Sequence, residues 1–401
     1  MVTFLAMIDR ITAETLYRPV RALLLLAMIA AFYAAIFFFL ISKTGAPGLA
    51  GVSDVDSYFD YAAGVLGGGT AYRDVASPYP LLANLLFAAV RLVASRFGGV
   101  NANAFVWAWA ALAGVAYVMV LDTVIASASS WLAVLAWLAP APIYFALLRY
   151  DIYPAAATLL ALLAIRRDSY LAGAAWFGLA VALKGYALFL LPAYCVFIAQ
   201  RRGLASAATA AAVAVAPMLL GLLGTIVLTG WQDVTAPFAF QASRAIEDES
   251  SYGALNYLFG ATIVPASPVM NWIGRGLQLG CALIAAAFAP RRFDELVDAF
   301  LFALLGFIAF LNFHSPQYLL WILPIACFSS SRAILGLALV LSWVSHLHFP
   351  LLSALTFGRL SANQLYHLNV IPVTLLHFAM MAVAAHHVLS NRRGTAKLFA
   401  M

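Results

Sequence analysis

A short acidic segment, Ser53-Asp54-Val55-Asp56-Ser57-Tyr58, follows the first long apolar stretch of the chain. A carboxylate at the end of a membrane span can act as a general base toward a substrate held between helices. Positions i and i+2 on a helix point about 200° apart, so Asp54 and Asp56 are not expected to act as a pair. Spacing alone leaves two other interpretations open. Ser53 and Asp54 cap a helix that begins near Val55, or the two aspartates share a divalent ion, although we predict no metal site.

Two further segments place charges among apolar residues. Arg149-Tyr150-Asp151 joins two apolar stretches through a very short turn, and Lys184 lies alone between two hydrophobic runs. Arg149 and Asp151 either form a local ion pair that holds the turn or belong to a binding site. The Lys184 ammonium either extends to the membrane interface or meets an anion.

The segment His314-Ser315-Pro316-Gln317-Tyr318 opens a late apolar stretch. A hydrolytic triad needs a third partner and an oxyanion hole, and the sequence shows neither. His314 is therefore interpreted as a hydrogen-bond donor to a phosphate or sugar, or as a histidine satisfied by a nearby carbonyl. The sequence contains no Gly-rich phosphate loop, Cys/His metal cluster or dinucleotide fingerprint, so a soluble nucleotide is not the expected substrate.

The elements that position these residues are membrane helices. Hydrophobic residues make up 65% of the 401 residues and charged residues only 9%, whereas a soluble domain has about 25% charged residues. Apolar stretches long enough to cross about 30 Å of hydrocarbon recur along the chain. We predict an all-α polytopic membrane protein with about 12 transmembrane helices, within a range of 10 to 13. The predicted spans are 20–42, 102–121, 130–148, 152–165, 169–183, 186–200, 205–229, 269–289, 296–312, 317–330, 333–349 and 369–389.

The basic residues predict the orientation of these spans. Thirteen of the 22 Lys and Arg residues fall on one side of the membrane, including the Arg pairs at 166–167, 201–202, 291–292 and 392–393. The positive-inside rule makes that side the cytoplasm and places both termini there. We expect residues 1–401 to form a single integral membrane domain.

Two loops on the other side are longer than a connection requires. The first outer loop, 43–101, contains the acidic segment and then apolar residues at helical spacing from Leu81 to Val93, which predicts helices lying in the interface. The second outer loop, 230–268, carries Arg244.

The order of these pieces resembles the GT-C superfamily of membrane glycosyltransferases, and most closely glycosyltransferase family 87. The acidic segment is similar to that family's Asp-x-x-x-Tyr motif after the first span. Tyr72 and Tyr79-Pro80 are similar to its G-x-x-Y and Tyr-Pro-Pro elements, with Leu81 at the second proline. The Arg149–Asp151 turn, Lys184 followed by Pro192, and the segment from His314 to Trp321 resemble its later motifs.

The resemblance implies a GT-C-type helical bundle and an inverting glycosyltransferase. In that family a sugar, usually mannose, moves from a polyprenyl-phosphate donor to a hydroxyl of a lipid or glycan acceptor on the outer face of the bacterial cytoplasmic membrane. The catalytic base would be Asp54, with Asp56 as the second candidate. The implied partners are the lipid-linked donor, the acceptor and membrane lipids, with no nucleic acid and no cofactor beyond the donor. The residues implied to bind the donor phosphate or sugar are Lys184, Arg149, Arg244, His314, Gln317, Tyr58, Tyr79 and Asp151.

Two other functions have similar hydropathy. A flippase or transporter of lipid-linked sugars usually shows matched halves with broken helices, and no such symmetry is visible in the sequence. A non-catalytic membrane scaffold does not require the Asp, Arg, Lys and His residues that gather at the outer ends of the spans.

Overall fold

The computed structural model describes residues 54–98, 101–247, 250–347 and 362–399, and their side chains except those of 242, 362–369 and 391–399. The described residues are mainly helical, and no β-strand occurs among them. The helices are α1 (Val55–Leu66), α2 (Leu81–Gly98), α3 (Ala102–Ser127), α4 (Trp131–Leu138), α5 (Pro140–Leu148), α6 (Ile152–Arg166), α7 (Tyr170–Leu183), α8 (Leu191–Arg202), α9 (Leu204–Thr229), α10 (Ala236–Ser243), α11 (Ser251–Leu258), α12 (Pro268–Ala287), α13 (Phe293–Ala309), α14 (Leu319–Ala326), α15 (Arg332–His346) and α16 (Ala362–Phe399). Two short 3₁₀ helices, Gly185–Leu190 and Pro316–Tyr318, precede α8 and α14.

Among the described residues, three helical segments are long and apolar enough to cross a membrane. They are α3, α9 and the Val370–Ser390 part of α16, and the bent pair α4–α5 is a fourth candidate. The all-helical membrane class is therefore confirmed. The number of twelve spans and the cytoplasmic position of both termini stay predictions, and the span predicted at 20–42 lies outside the described residues.

Three of the predicted spans are not continuous α-helices. The predicted span 130–148 is two helices bent by 53°, with Pro140 as the first residue of α5. The predicted spans 186–200 and 317–330 each begin as a 3₁₀ helix instead of an α-helix. Proline has no N–H to donate and fits the first turn of a helix. Pro140 and Pro192 each lie in the first turn of a helix that starts inside an apolar run.

The two helices predicted in the first outer loop are present as α1 and α2. Pro80 precedes α2, and its carbonyl accepts the first backbone bonds of the helix from Ala83 and Asn84. One face of α2 is buried, including Phe87 and Val90, while Leu92 and Phe97 on the other face are exposed. A helix with one apolar face against the protein and exposed apolar side chains on the other suits the edge of a membrane.

The main core lies between the longer helices, with α6 packed on α7 and α7 on α9. At the α7–α9 crossing, a Cβ on Gly178 would come within 2.9 Å of the Ala214 carbonyl and 3.0 Å of the Pro217 ring. Close approach through small residues is how membrane helices associate when water supplies no hydrophobic driving force. A smaller core joins α1 and α2 to the first turns of α3 and to Tyr150. That smaller core positions the acidic segment.

Candidate active site

Asp54 occupies the N-cap position of α1, but its side chain forms no capping hydrogen bond there. The carboxylate instead forms an ion pair through Oδ1 with the guanidinium of Arg149, at the C-terminal end of α5. The Asp54 side chain is 32% exposed and that of Arg149 is 11% exposed. The capping interpretation is therefore wrong for the Asp54 side chain, which is oriented toward a cation on a distant element and is still partly open.

The other oxygen of Asp54 faces two phenols. Tyr79 donates to Asp54 Oδ2 at 3.4 Å and Tyr58 donates to the same oxygen at 3.5 Å, both at the long end of hydrogen bonding. Burial and the neighbouring Asp54 charge raise the pKa of Tyr79 well above its usual value. Burial, Tyr79 and Asp54 do the same to the pKa of Tyr58. Both hydroxyls therefore stay protonated and serve Asp54 as donors.

Tyr58 is fixed by the smaller core. Its fully buried ring stacks on Phe87 with centroids 4.3 Å apart and lies 4.9 Å from the Trp109 ring. Its hydroxyl also accepts the backbone N–H of Tyr150 at 3.3 Å. Trp109 donates in turn to the Leu147 carbonyl at 2.9 Å. These contacts tie the start of α1 to the turn that carries Arg149.

Tyr79 is held by the loop between α1 and α2. Its carbonyl accepts from the Tyr72 hydroxyl at 2.7 Å and from Asn84 Nδ2 at 3.2 Å, and its N–H donates to Ser77 Oγ at 3.3 Å. Ser77 Oγ donates to Asn84 Oδ1 at 2.8 Å, and Asn84 Nδ2 also donates to the Tyr72 hydroxyl at 3.1 Å. We call Tyr72, Ser77 and Asn84 the clasp, because they enclose the backbone of Tyr79.

Arg73, next to the clasp, joins the first outer loop to the second. Its guanidinium donates to the Thr229 carbonyl at the end of α9 and lies 3.3 Å from Asp233 Oδ2. Gly230 has φ +99°, and a side chain at this position would place its Cβ only 3.3 Å from the Arg73 guanidinium. Arg73 therefore ties the first outer loop to the end of α9 and to the second outer loop.

The turn after Arg149 forms a second ion pair. Lys184 Nζ, in the break between α7 and the following 3₁₀ helix, lies 2.6 Å from Asp151 Oδ1. The same oxygen accepts the indole N–H of Trp321 at 2.6 Å. Asp151 is fully buried, and its Oδ2 has no hydrogen-bond partner among the described residues. Of the two interpretations of Lys184, the ammonium meets an anion, which is the Asp151 carboxylate.

Aromatic rings enclose this second pair. Lys184 Nζ lies 4.6 Å from the ring centre of Tyr150 and 5.0 Å from that of Trp321, both within cation–π range. Trp321 stacks between Tyr186 and Tyr318, with centroids 4.6 and 4.0 Å away. The Lys184 side chain nevertheless remains 19% exposed. Tyr150 thus lies between two ion pairs, Asp54–Arg149 and Asp151–Lys184.

Arg244 and His314 belong to a neighbouring group. Arg244 pairs with Glu247 at 2.6 Å and its guanidinium lies 3.4 Å above the ring of Phe313. His314 contacts Tyr318, with ring centroids 5.6 Å apart, and His377 of α16, at 5.0 Å. Tyr318 in turn stacks on Trp321, so this group adjoins the Lys184 pair through two aromatic rings.

Gln317 and Asp56 are the two remaining candidate residues. Gln317 is nearly buried, and Ser315 donates to its Oε1. Asp56 is exposed in the first turn of α1. No group of three His, Cys, Asp or Glu residues within 54–98, 101–247, 250–347 and the described part of α16 is arranged to hold a metal ion.

The sequence interpretation missed three residues that the structure places at the site. Trp321 was named only as the end of the segment that begins at His314, but it is 3% exposed and donates its indole N–H to Asp151. Asn84 and His377 were not singled out, although a lone amide and a lone imidazole inside apolar helices are signals of buried hydrogen bonding.

The arrangement combines a partly exposed carboxylate with two cations, and an anionic ligand can compete with either carboxylate for its cation. This is the chemistry of a site that removes a proton at one position and stabilises a developing negative charge at another.

The chain matches the family model of glycosyltransferase family 87 over residues 78–316. Tyr79, Arg149, Asp151, Lys184 and His314 lie inside the matched region, and Asp54 precedes it. No curated protein matches the chain.

Proposed function

Because the chain belongs to glycosyltransferase family 87, a family of GT-C-type membrane glycosyltransferases, we propose that it transfers mannose from a polyprenyl-phosphate donor to a hydroxyl of a lipid or glycan acceptor. The reaction takes place on the outer face of the bacterial cytoplasmic membrane. The observation that carries this proposal is the ion pair between Asp54 and Arg149, which brings a base and a phosphate-binding cation to one place.

The first part of the mechanism is proton removal. Asp54 accepts the proton of the acceptor hydroxyl as its oxygen attacks the anomeric carbon of the donor sugar. The new C–O bond forms on the face opposite the bond that breaks, so the configuration at that carbon inverts. A β-linked lipid donor therefore gives an α-glycoside.

The second part is departure of the phosphate. The bond from the anomeric carbon to the phosphate oxygen breaks, and the oxygen keeps the electron pair, which adds a negative charge to the polyprenyl phosphate. Arg149 and Lys184 flank Tyr150 and provide positive charge for that group, and the guanidinium suits bidentate binding. Arg244 and His314 are separated from the Lys184 pair by the rings of Tyr318 and Trp321, and they extend the donor site.

Binding of the donor and activation of the base are linked in this mechanism. Without the donor, the charge of Asp54 is balanced by Arg149. The donor phosphate competes for Arg149, and a carboxylate that loses its cation is a stronger base. Asp54 thus becomes an effective base once the donor is in place.

The composition of the site favours a lipid-linked donor. A polyprenyl-phosphate sugar is delivered within the membrane and needs no nucleotide-binding domain, and the sequence contains no nucleotide fingerprint. Its phosphate requires only the cations already present at the ends of apolar helices.

The test is transfer by the purified protein in liposomes. Polyprenyl-phosphate mannose and nucleoside-diphosphate mannose are supplied in separate reactions with extracted membrane acceptors, and the product is identified by mass spectrometry and its anomeric configuration by NMR. We expect an α-mannoside from the lipid-linked donor alone. Transfer from the nucleotide donor, or movement of the lipid-linked donor across the bilayer without any glycoside product, would contradict the proposal, and the second result would favour a flippase.

A further inference from the structure

We propose that Asn84, together with Tyr72, is a positioning residue for the transfer reaction: the clasp fixes Tyr79 so that its hydroxyl holds one oxygen of Asp54. This inference rests on the proposed function, since it assumes that Asp54 is the base. Asn84 does not touch Asp54 itself and acts through the backbone of Tyr79.

The side-chain amide of Asn84 is directed entirely toward the Tyr79 loop. It is 6% exposed, on the buried face of α2, and it engages Tyr72, Ser77 and the Tyr79 carbonyl. A buried amide in an apolar helix is costly unless its hydrogen bonds are made. The side-chain hydrogen bonds of Asn84 to Tyr72, Ser77 and Tyr79 all go to the loop, so the amide serves the loop.

The loop adopts a conformation that needs such support. Tyr72 has φ +70°, in the left-handed region that residues other than glycine rarely occupy. Its N–H donates to the Val75 carbonyl at 2.9 Å, and its hydroxyl reaches the Tyr79 carbonyl. Burial raises the pKa of Tyr72 to about 12, so its hydroxyl is a stable donor. Backbone strain of this kind persists where the surrounding contacts hold it, and it is concentrated at functional sites.

The clasp also determines which oxygen of Asp54 can accept a proton. Oδ2 is held by Tyr58 and Tyr79, while Oδ1 pairs with Arg149. When the donor phosphate takes Arg149, Oδ1 is the oxygen that becomes available, and the two phenols keep the carboxylate in the same rotation. Asn84 thus contributes to orienting Oδ1 toward the acceptor.

Steady-state kinetics of the full-length protein in liposomes tests this role. Asn84→Leu removes the amide at similar volume, and Tyr72→Phe removes a single oxygen from the clasp. We expect each to lower kcat about 3- to 10-fold, the range of one or two hydrogen bonds, with an unchanged KM for the donor. Asn256→Leu is the matched control, because Asn256 pins the second outer loop to Val264 through an equivalent pair of backbone bonds. It should leave kcat within about 2-fold.

A double-mutant cycle separates positioning from general destabilisation. If Asn84 acts through the Tyr79 hydroxyl, Asn84→Leu has no further effect on kcat once Tyr79 is replaced by Phe. Effects that multiply in the double variant would overturn the proposal and assign Asn84 to stability alone. If Asn84→Leu lowers the yield of folded protein, Tyr72→Phe is combined with Tyr79→Phe instead, and its effect on kcat is read in the same way.

A spectroscopic measurement makes the outcome independent of the transfer assay. With 3-fluorotyrosine at position 79, the ¹⁹F resonance should shift on Asp54→Asn in the otherwise native protein, and that shift should disappear in the Asn84→Leu background. An equal response to Asp54→Asn in both backgrounds contradicts the clasp even if the protein transfers sugar. Loss of the response together with an inactive wild-type protein supports the clasp and rejects the proposed function.

Discussion

Lys184 Nζ lies 2.6 Å from Oδ1 of Asp151, and this carboxylate is fully buried. The pair links the break between α7 and its 3₁₀ helix to the turn that carries Arg149. A buried ion pair is weak evidence of stability, but loss of one partner is costly because the other charge stays buried. Variants that remove one charge or both charges of the pair therefore distinguish its effect on stability from its effect on catalysis.

Lys184→Met should slow sugar transfer by about 10- to 100-fold, because the leaving phosphate loses a cation. The same change should also lower the thermal stability, since the Asp151 carboxylate is left without its partner. The double variant Lys184→Met/Asp151→Asn removes both charges and should regain stability without regaining activity. Turnover and unfolding temperature of the three proteins are the measurements. Recovery of turnover in the double variant would remove Lys184 from the donor site.

Trp321→Phe keeps the aromatic stack between Tyr186 and Tyr318 but deletes the N–H that donates to Asp151. We expect a loss of about 1–3 kcal/mol in unfolding free energy, as for a buried charged acceptor that loses a donor, and a slower transfer. Trp343→Phe is the control, because the Trp343 side chain is 53% exposed. Equal stability of the two variants would show that the Trp321 hydrogen bond contributes nothing.

Arg149→Gln should raise the KM for the donor and lower kcat, with about a 10- to 100-fold loss in kcat/KM, because the phosphate loses a charged partner. Arg149→Lys should be intermediate, since it keeps the charge and loses the bidentate geometry. Arg91→Gln is the control, because Arg91 lies in α2 and donates to the Phe59 carbonyl. A donor KM that is unchanged in Arg149→Gln contradicts the assigned role.

The stability of the protein should depend on Tyr72 at alkaline pH. Burial raises the pKa of Tyr72 to about 12 in the folded protein, whereas an unfolded tyrosine has a pKa of about 10. The folded state thus binds the proton more tightly. Its contribution is fully present below pH 10 and is lost as the pH rises from about 10 to about 12. The unfolding temperature of Tyr72→Phe should fall less steeply than that of the wild type across this window, and parallel curves would show that Tyr72 is not buried as described.

The sequence predicted residue types at the site better than it predicted their partners. Asp54, Arg149, Asp151 and Lys184 were recognisable as charges at the ends of apolar stretches, where charge is costly and usually functional. Their pairing could not be predicted, because Arg149 and Asp151 reach elements far away in the chain. A local ion pair within the turn was an equally reasonable expectation before the helix packing was known.

The fold, too, could be predicted from the sequence only in part. Apolar length and composition predict membrane helices and the two helices of the first outer loop, but they do not reveal where a helix breaks inside an apolar run. The bend before Pro140 lies in apolar sequence, and the 3₁₀ helix Gly185–Leu190 occupies the start of the predicted span 186–200. The sequence analysis did not name Asn84 as a candidate site residue. Its role depends on a loop whose conformation is set by Tyr72, and that conformation could not be predicted from the sequence.

The central claim is that Asp54 is the base, and Asp54→Asn tests it most directly. Asn has the same size as Asp and cannot accept the proton, and the aspartate side chain makes no capping bond that the change would disturb. Because the change also removes the partner of Arg149, the unfolding temperature and donor binding are measured on the same preparation. Asp60→Asn, an exposed acid on the same helix, is the control, and Asp56→Asn should have a smaller effect than Asp54→Asn.

The decisive measurement is the turnover of polyprenyl-phosphate mannose by Asp54→Asn beside the wild type. General-base catalysis typically contributes about 10²–10⁴-fold, so we predict a loss of that size with donor binding retained. Near wild-type turnover by a folded Asp54→Asn protein would contradict the mechanism.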